Sequence, residues 1–376
     1  MALMKRTLHK LVKWCYLLTA LALILLAVLV QSGRSFSHVL GDYEQDIASY
    51  LSNKLNAEVK IGRIQAEWDG LKPSFVVDNF HIQSREGLPI VAFDQARMRF
   101  DILKSLRNAR LVWSNLSLSE VDMDFVQTDD GFWRIAGLPP ANKTPDAKHT
   151  DLNSLVDMLL LSTRIELQSS QIRFAFASGQ QMLLDSPYVL LESADNFHRL
   201  SLQIDVDKQP RSVYLVLEGH GDPRQQASFR SKGYLQLNRF PTGEPVAAAS
   251  AFLLGGAGKS VLQSEGSLDA NIWFESRAKG QGYDLSGRLA LQRLSVPVAE
   301  RRLALDDFTT ELTGHWLPNG DWRLGLQQLT AAVQDEQIDG TNIAFSSSGF
   351  NQPVMVNMDR LDLARLSQMF VRAGVL

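Results

Sequence analysis

Apolar residues recur at every second position along most of this chain. This is the spacing of a β-strand that has one apolar face and one polar, solvent-exposed face. The alternation begins at Val59 and Ile61 and continues to Ile343 and Phe345. Polar turns separate the runs, for example PNGD at 318–321, as hairpins require. The pattern predicts a mainly β body, an elongated, curled antiparallel sheet that forms a groove, with a few short amphipathic helices.

Helical spacing replaces this alternation in three segments. Apolar residues three and four apart predict an amphipathic helix from Phe36 to about Asn56, a second at 152–160 that begins a repeat of the helix-then-strands plan, and a third near 361–370. The first helix either closes one end of the following sheet or contacts a membrane surface. The former is favoured, because anionic lipid would repel Asp42, Glu44 and Asp46.

The combined apolar face of the predicted strands has a larger area than the few hundred Å² of apolar surface that a soluble protein leaves exposed. A second sheet would cover it in a sandwich, whereas a sheet that curls over itself would leave an elongated apolar channel. The pattern alone leaves both arrangements open. For the channel, alternation predicts solvent-facing Gln203 and Glu218 and the following groove-lining residues: Ile172, Phe174, Leu202, Ile204, Leu215, Leu289 and Leu324.

The N-terminus carries an uncharged apolar run at residues 14–30, preceded by Lys5, Arg6, Lys10 and Lys13. As a helix the run is about 25 Å long, and extension back to Leu11 brings it to about 30 Å, the thickness of a bilayer core. The positive-inside rule places the N-terminus in the cytoplasm and the body outside it. A cleaved signal peptide is the alternative, but the run is long and no small-residue cleavage site follows it.

These patterns predict a single-pass protein of the cell inner membrane with a periplasmic body. Residues 1–13 form the cytoplasmic tail, 14–30 the transmembrane helix and 31–138 a helix-plus-β unit. The proline-containing stretch 139–150 is a linker, and residues 151–376 form a second β-rich groove segment. Because a new helical pattern starts close to the last residue, we expect this second segment to be truncated.

Composition narrows the range of partners. The chain is 45% hydrophobic with a formal charge of -3, so a nucleic-acid partner is not expected. Its single cysteine, Cys15, lies in the apolar run and excludes an intrachain disulfide.

Motifs for catalysis are weak throughout. Gly258-Lys259-Ser260 ends like a P-loop, but Leu253 occupies the position of the first glycine. The seven histidines are scattered, without the spacing of metal ligands, and there is no nucleophile elbow. The tryptophans are candidate carbohydrate platforms, although closing the ends of a β core is the favoured role. We therefore expect no enzyme activity and no cofactor.

The N-terminal third of the chain resembles a known family. A basic and apolar anchor and a short helix lead into LSNKLNAEVKIGRIQAEWDGLKPSFVVDNFHI, followed later by GFWRIAGL. These features resemble the AsmA-like family of the YhdP type over residues 5–138, on the following positions: Val59, Ile61, Gly62, Trp68, Gly70, Pro73, Asp78, Asn79 and Ile82.

The resemblance implies a bridge-like protein whose curled sheet carries phospholipid between the inner and outer membranes and supports the outer-membrane barrier. Its implied partners are phospholipid acyl chains, the inner membrane, and outer-membrane or periplasmic proteins. The chain is shorter than is typical of that type, so we expect it to form part of such a groove. The alternative is a β-sandwich scaffold or assembly factor that binds envelope proteins through its sheet edges.

Overall fold

The structure of the chain is a computed structural model. It describes residues 31, 40–69, 72–109, 112–128, 133–137, 159–177, 179, 181–206, 209–225, 228–242, 266–277, 282–298, 301–333, 336–349 and 352–359. Within these ranges no helix is both long and apolar enough to span a bilayer. The predicted span at 14–30, the glycine-rich loop at 255–260 and the C-terminal helical segment lie outside them.

About 70% of the described residues are in strands, which confirms the predicted mainly β class. Two short α-helices lie wholly within the described residues, α1 (Glu44–Leu55) and α2 (Ile102–Asn108), and a 3-10 turn (Leu40–Tyr43) leads into α1. Residues 159–161 are also helical, whereas the rest of the helix predicted at 152–160 lies outside the described residues. The strands are β1 (Glu58–Asp69), β2 (Lys72–Gln83), β3 (Pro89–Phe100), β4 (Trp113–Ser119), β5 (Asp122–Gln127), β6 (Trp133–Ile135), β7 (Arg164–Gln168), β8 (Gln171–Ala175), β9 (Gln181–Ala194), β10 (Phe197–Val206), β11 (Gln209–His220), β12 (Arg230–Thr242), β13 (Gly266–Ser276), β14 (Tyr283–Val298), β15 (Arg301–Trp316), β16 (Trp322–Val333), β17 (Glu336–Ser347) and β18 (Met355–Met358).

All of these strands belong to one 18-stranded sheet. From β9 to β18 each strand pairs antiparallel with the next along the chain. The predicted turn at 318–321 is confirmed, because it joins Trp316 of β15 to its partner Trp322 of β16. Strand β2 likewise pairs antiparallel with β1 and with β3, its neighbours along the chain.

The prediction of an antiparallel sheet holds for most strand pairs but is wrong for two of them, so the sheet is mixed. Strand β4 pairs parallel with β7, through Leu116 and Ile165, and β5 pairs parallel with β8, through Met123 and Ile172. Parallel neighbours need a crossover of a dozen or more residues, and the chain between β6 and β7 is long enough to supply it. Alternation along a strand is the same for both pairings, so the sequence pattern did not reveal the crossover.

Helix α1 covers the outer edge of β1, as the favoured interpretation of its sequence expected. The Ile64 N–H of β1 donates to the Glu44 Oε1 of α1 at 2.7 Å, and the Val59 N–H donates to Ser52 Oγ at 2.9 Å. Unpaired N–H groups on an edge strand invite pairing with other chains. The helix therefore protects this edge of the sheet.

A line of backbone irregularities crosses the sheet and bends its strands. The non-glycine residues with positive φ along this line are Asn79, Glu120, Ser169, Arg211, Arg239, Asp307 and Gln328. Carboxylate or amide side chains accept several of the N–H groups that these bends release: Asp269 Oδ1 accepts from the Arg239 N–H at 2.8 Å, and Asn342 Oδ1 from the Gln328 N–H at 3.0 Å. Because bulges bend and twist a strand, their alignment gives the sheet its curl. We call this line the seam.

Candidate functional site

Two apolar rows cross the sheet at right angles to its strands. In each row the residue on one strand is the register partner of the residue on the next. The first apolar row consists of Ile64, Val77, Ala96, Leu118, Leu167, Val189, Leu202, Leu215, Leu235, Ile272, Gly287, Leu312, Leu326, Ile343 and Met358. The second consists of Ala66, Phe75, Met98, Leu116, Ile165, Leu191, Leu200, Leu217, Gly233, Phe274, Leu285, Gly314, Leu324, Phe345 and Val356. Every position in both rows is apolar or glycine.

Register partners lie on the same face of a sheet, as do residues two apart in one strand, so the rows form one continuous surface. At about 4.8 Å between strands, each row is about 65 Å long, and the two together are about 10 Å wide. An apolar strip of roughly 650 Å² exceeds what most monomeric proteins leave uncovered. The strip is therefore a candidate binding surface.

Side chains in the rows are mostly half-buried. Ile64, Ala96 and Leu312 are buried, Val356 and Met358 are exposed, and the other side chains of the two rows lie between these extremes. Close packing against a second sheet would bury the centre of such a surface. The partial exposure instead indicates an apolar surface that is only partly covered.

Glycines in the rows let neighbouring side chains lie flat on the sheet. A Cβ added to Gly314 would stand 2.8 Å from Leu285 Cδ2, and one added to Gly233 would collide with the Phe274 ring. Both glycines face these side chains directly across a strand pair. Small residues on this face leave room for the sheet to curl towards it.

The structure places five of the seven predicted groove residues on this face. Leu202 and Leu215 are direct partners in the first row, and Leu324 belongs to the second. Ile204 and Leu289 belong to a third, shorter row on the same face: Ile204, Val213, Leu237, Ala270 and Leu289.

The other two predicted residues, Ile172 and Phe174, lie in β8, on the far side of the seam. Their partners are Leu184 and Met182 of β9, and the Phe174 ring stacks on Phe125 at 5.1 Å. They belong to a second apolar area rather than to the three rows. Contact of any of the seven residues with lipid stays a prediction.

One comparison with known proteins gives a match. The sequence model of a family described as YhdP protein matches residues 1–375. The chain belongs to the YhdP family. Neither the curated proteins nor the solved structures include a significant match to it.

The opposite face of this YhdP-family sheet carries a charged row. Register partners in this row are Arg164, Glu192, Arg199, Glu218, Lys232, Glu275, Asp284, His315 and Arg323. Opposite charges meet at 3.0 Å between Arg164 Nη1 and Glu192 Oε1, and at 3.3 Å between Lys232 Nζ and Glu218 Oε2. Exposed ion pairs add little stability. Their main effect is to make this face polar, so that it remains exposed to solvent.

One cluster in the charged row joins three side chains. Asp284 Oδ1 lies 2.6 Å from Arg277 Nη2 and 2.6 Å from His315 Nδ1. The hydrogen bond from Arg277 is the main cause that lowers the pKa of Asp284, and the hydrogen bond from His315 is the next largest. This carboxylate is therefore ionised at neutral pH. Among the described residues, no group of three or more His, Cys, Asp or Glu side chains is arranged to hold a metal ion.

Alternation in the sequence indicated the apolar face but not the rows. The rows depend on the register between strands far apart in the chain, such as Leu118 of β4 and Leu167 of β7. The charged row was also missed, although its residues alternate with apolar ones in each strand and could have been found once the register was known.

Proposed function

We propose that this YhdP-family chain carries phospholipid acyl chains along its apolar rows. The observation that supports the proposal is the absence of any polar residue from two rows that cross the sheet from β1 to β18. Drawing an acyl chain of about sixteen CH₂ groups into water costs on the order of 13 kcal/mol at about 0.8 kcal/mol each. A continuous apolar surface lowers that barrier, because successive methylene groups exchange one protein contact for the next.

The exposure of the rows favours a conduit over a closed β-sandwich scaffold. Side chains that are half-buried across most of the sheet leave room for an acyl chain, whereas a filled sandwich core does not. The role requires no catalytic group and no cofactor. The protein contributes a surface, and the lipid moves along it.

We place the protein in the inner membrane, with the apolar run 14–30 as its anchor and the sheet in the periplasm. This orientation rests on the positive charges before the run. A periplasm-specific reporter fused after Leu55 should be active. Recovery of a soluble protein that starts near Ser32 would contradict the anchor.

Lipid that copurifies with the full chain tests the transport proposal. Mass spectrometry of the detergent-purified protein should detect bound phospholipid. Leu235→Asp, in the first row, should reduce the amount of bound lipid several-fold, whereas Gln236→Asp, its neighbour on the opposite face, should not. Equal lipid content in the two variants would contradict the proposal.

A further inference from the structure

The polar face of the sheet contains a cavity of about 780 Å³. Residues of β11 to β16 line the cavity, and most of them lie on the polar face of the sheet. They belong either to the charged row or to the row two residues along the same strands, which consists of Val216, Tyr234, Trp273, Ser286 and Thr313. Its volume lies within the range of small-molecule sites. Gly233, Phe274 and Leu285 of the second apolar row also border the cavity, but most of the lining residues point to the side of the sheet opposite the apolar rows.

Aromatic rings form one wall of the cavity. Tyr234 and Trp273 both line the cavity and are direct partners with ring centres 5.1 Å apart. The Tyr214 ring, outside the lining, supports Tyr234 at 6.4 Å. The Tyr234 hydroxyl donates to Asn271 Oδ1 at 2.6 Å, which fixes the ring. Trp273 is 51% exposed, and so large an apolar ring in the middle of a wetted face is typical of a binding surface.

Paired charges form the rim. Glu218 lies between Lys232, at 3.3 Å, and Arg199, at 4.0 Å, and Asp284 is paired with Arg277 at 2.6 Å. The rim therefore offers hydrogen-bond donors and acceptors side by side, with most of its charge already compensated. Such a rim has little surplus charge with which to attract a simple cation or anion.

We propose that this cavity is a saccharide-binding site. A pyranose ring has an apolar face that can stack on the exposed Trp273 ring, and hydroxyl groups on its edge that can donate to Glu275 or Glu218 and accept from Lys232. An organic cation is the main competing ligand, because cations also bind over tryptophan faces. Because most charges on the rim are already paired with each other, the site favours an uncharged saccharide over a cation. This site is independent of the proposed lipid transport.

Calorimetric titration of the full chain with the β-1,4-linked tetramer of N-acetylglucosamine tests the site. Saturable binding is expected, with an affinity weakened roughly tenfold or more by Trp273→Ala, as for other central aromatic anchors. The matched control is Trp316→Ala. Trp316 is similarly exposed, at 43%. It lies two residues after Gly314 of the second apolar row in β15, so it is on the apolar face of the sheet and not on the face that holds the cavity.

Two further measurements decide the outcome. Thermal melting should show that both variants remain folded. Tyr234→Ala, which removes the other aromatic ring of the lining, serves as a second aromatic variant if Trp273→Ala does not remain folded. Glu275→Gln should retain saccharide binding, because an amide still forms hydrogen bonds. Absence of binding up to about 10 mM, equal affinity for the two tryptophan variants, or binding of spermidine that Glu275→Gln abolishes would each overturn the proposal.

Discussion

A negative charge in the first apolar row should block lipid transfer without unfolding the sheet. Leu202 is half-buried between its partners Val189 and Leu215. The substitution Leu202→Asp forfeits about half of the roughly 2 kcal/mol that burial of a leucine supplies. The new carboxylate can reach water, so the penalty of about 3 to 5 kcal/mol for an unpaired buried charge does not apply.

The expected loss of stability is therefore about 1 to 2 kcal/mol, out of a total of roughly 5 to 15. The melting temperature should fall by only a few degrees. If about three CH₂ groups lose apolar contact as they pass Asp, the barrier rises by about 2.4 kcal/mol, which slows transfer roughly 50-fold.

Transfer of a fluorescent phospholipid between two vesicle populations, with the full chain added, measures this effect. Gln203→Asp is the matched control, because Gln203 is the next residue of β10 and faces the opposite side. Its transfer rate should equal that of the wild type. Transfer of lipid by Leu202→Asp at the wild-type rate, or loss of its fold together with its activity, would refute this prediction.

Three further changes test the elements that hold the sheet. Glu44→Ala should lower the free energy of unfolding by about 1 to 3 kcal/mol and promote self-association in size-exclusion chromatography, because the Ile64 N–H on the β1 edge loses its acceptor. Asp269→Ala should cost about 1 kcal/mol in urea unfolding, since the Arg239 N–H at the seam is released. Burial lowers the pKa of His198 below its ordinary value, so stability should fall as pH drops below about 6.5, and His198→Gln should remove this dependence.

Controls are available for each of these changes. Glu44→Gln and Asp269→Asn keep an acceptor oxygen and should retain most of the stability. The sign of the pH effect follows because the unfolded chain binds a proton at His198 more readily than the folded protein does. A folded protein that gains stability as pH falls from 7 to 5.5, compared with His198→Gln, would contradict the assignment.

The sequence predicted which side of a strand is apolar because that property depends only on neighbours two positions apart. Leu202 and Gln203 were assigned to opposite faces for this reason, and their pairing agrees. Register between distant strands does not follow from alternation, so the parallel pairing of Leu116 with Ile165 and the unbroken rows were not predicted.

The seam was also beyond prediction. Arg239 and Gln328 adopt positive φ, although neither is a residue type that favours such a conformation. Their N–H groups are satisfied by side chains of the next strand, Asp269 and Asn342. A bend that depends on a partner strand leaves no local signal in the sequence.

Crosslinking to lipid in cells tests the central claim most directly. A photoreactive amino acid placed at Leu202, Leu215 or Leu324 should form adducts with phospholipid, because these positions lie on the apolar rows. The same group at Gln203 or Glu218, on the charged side, should form none. Adducts at Gln203 and Glu218 together with their absence from the three leucine positions would contradict the account.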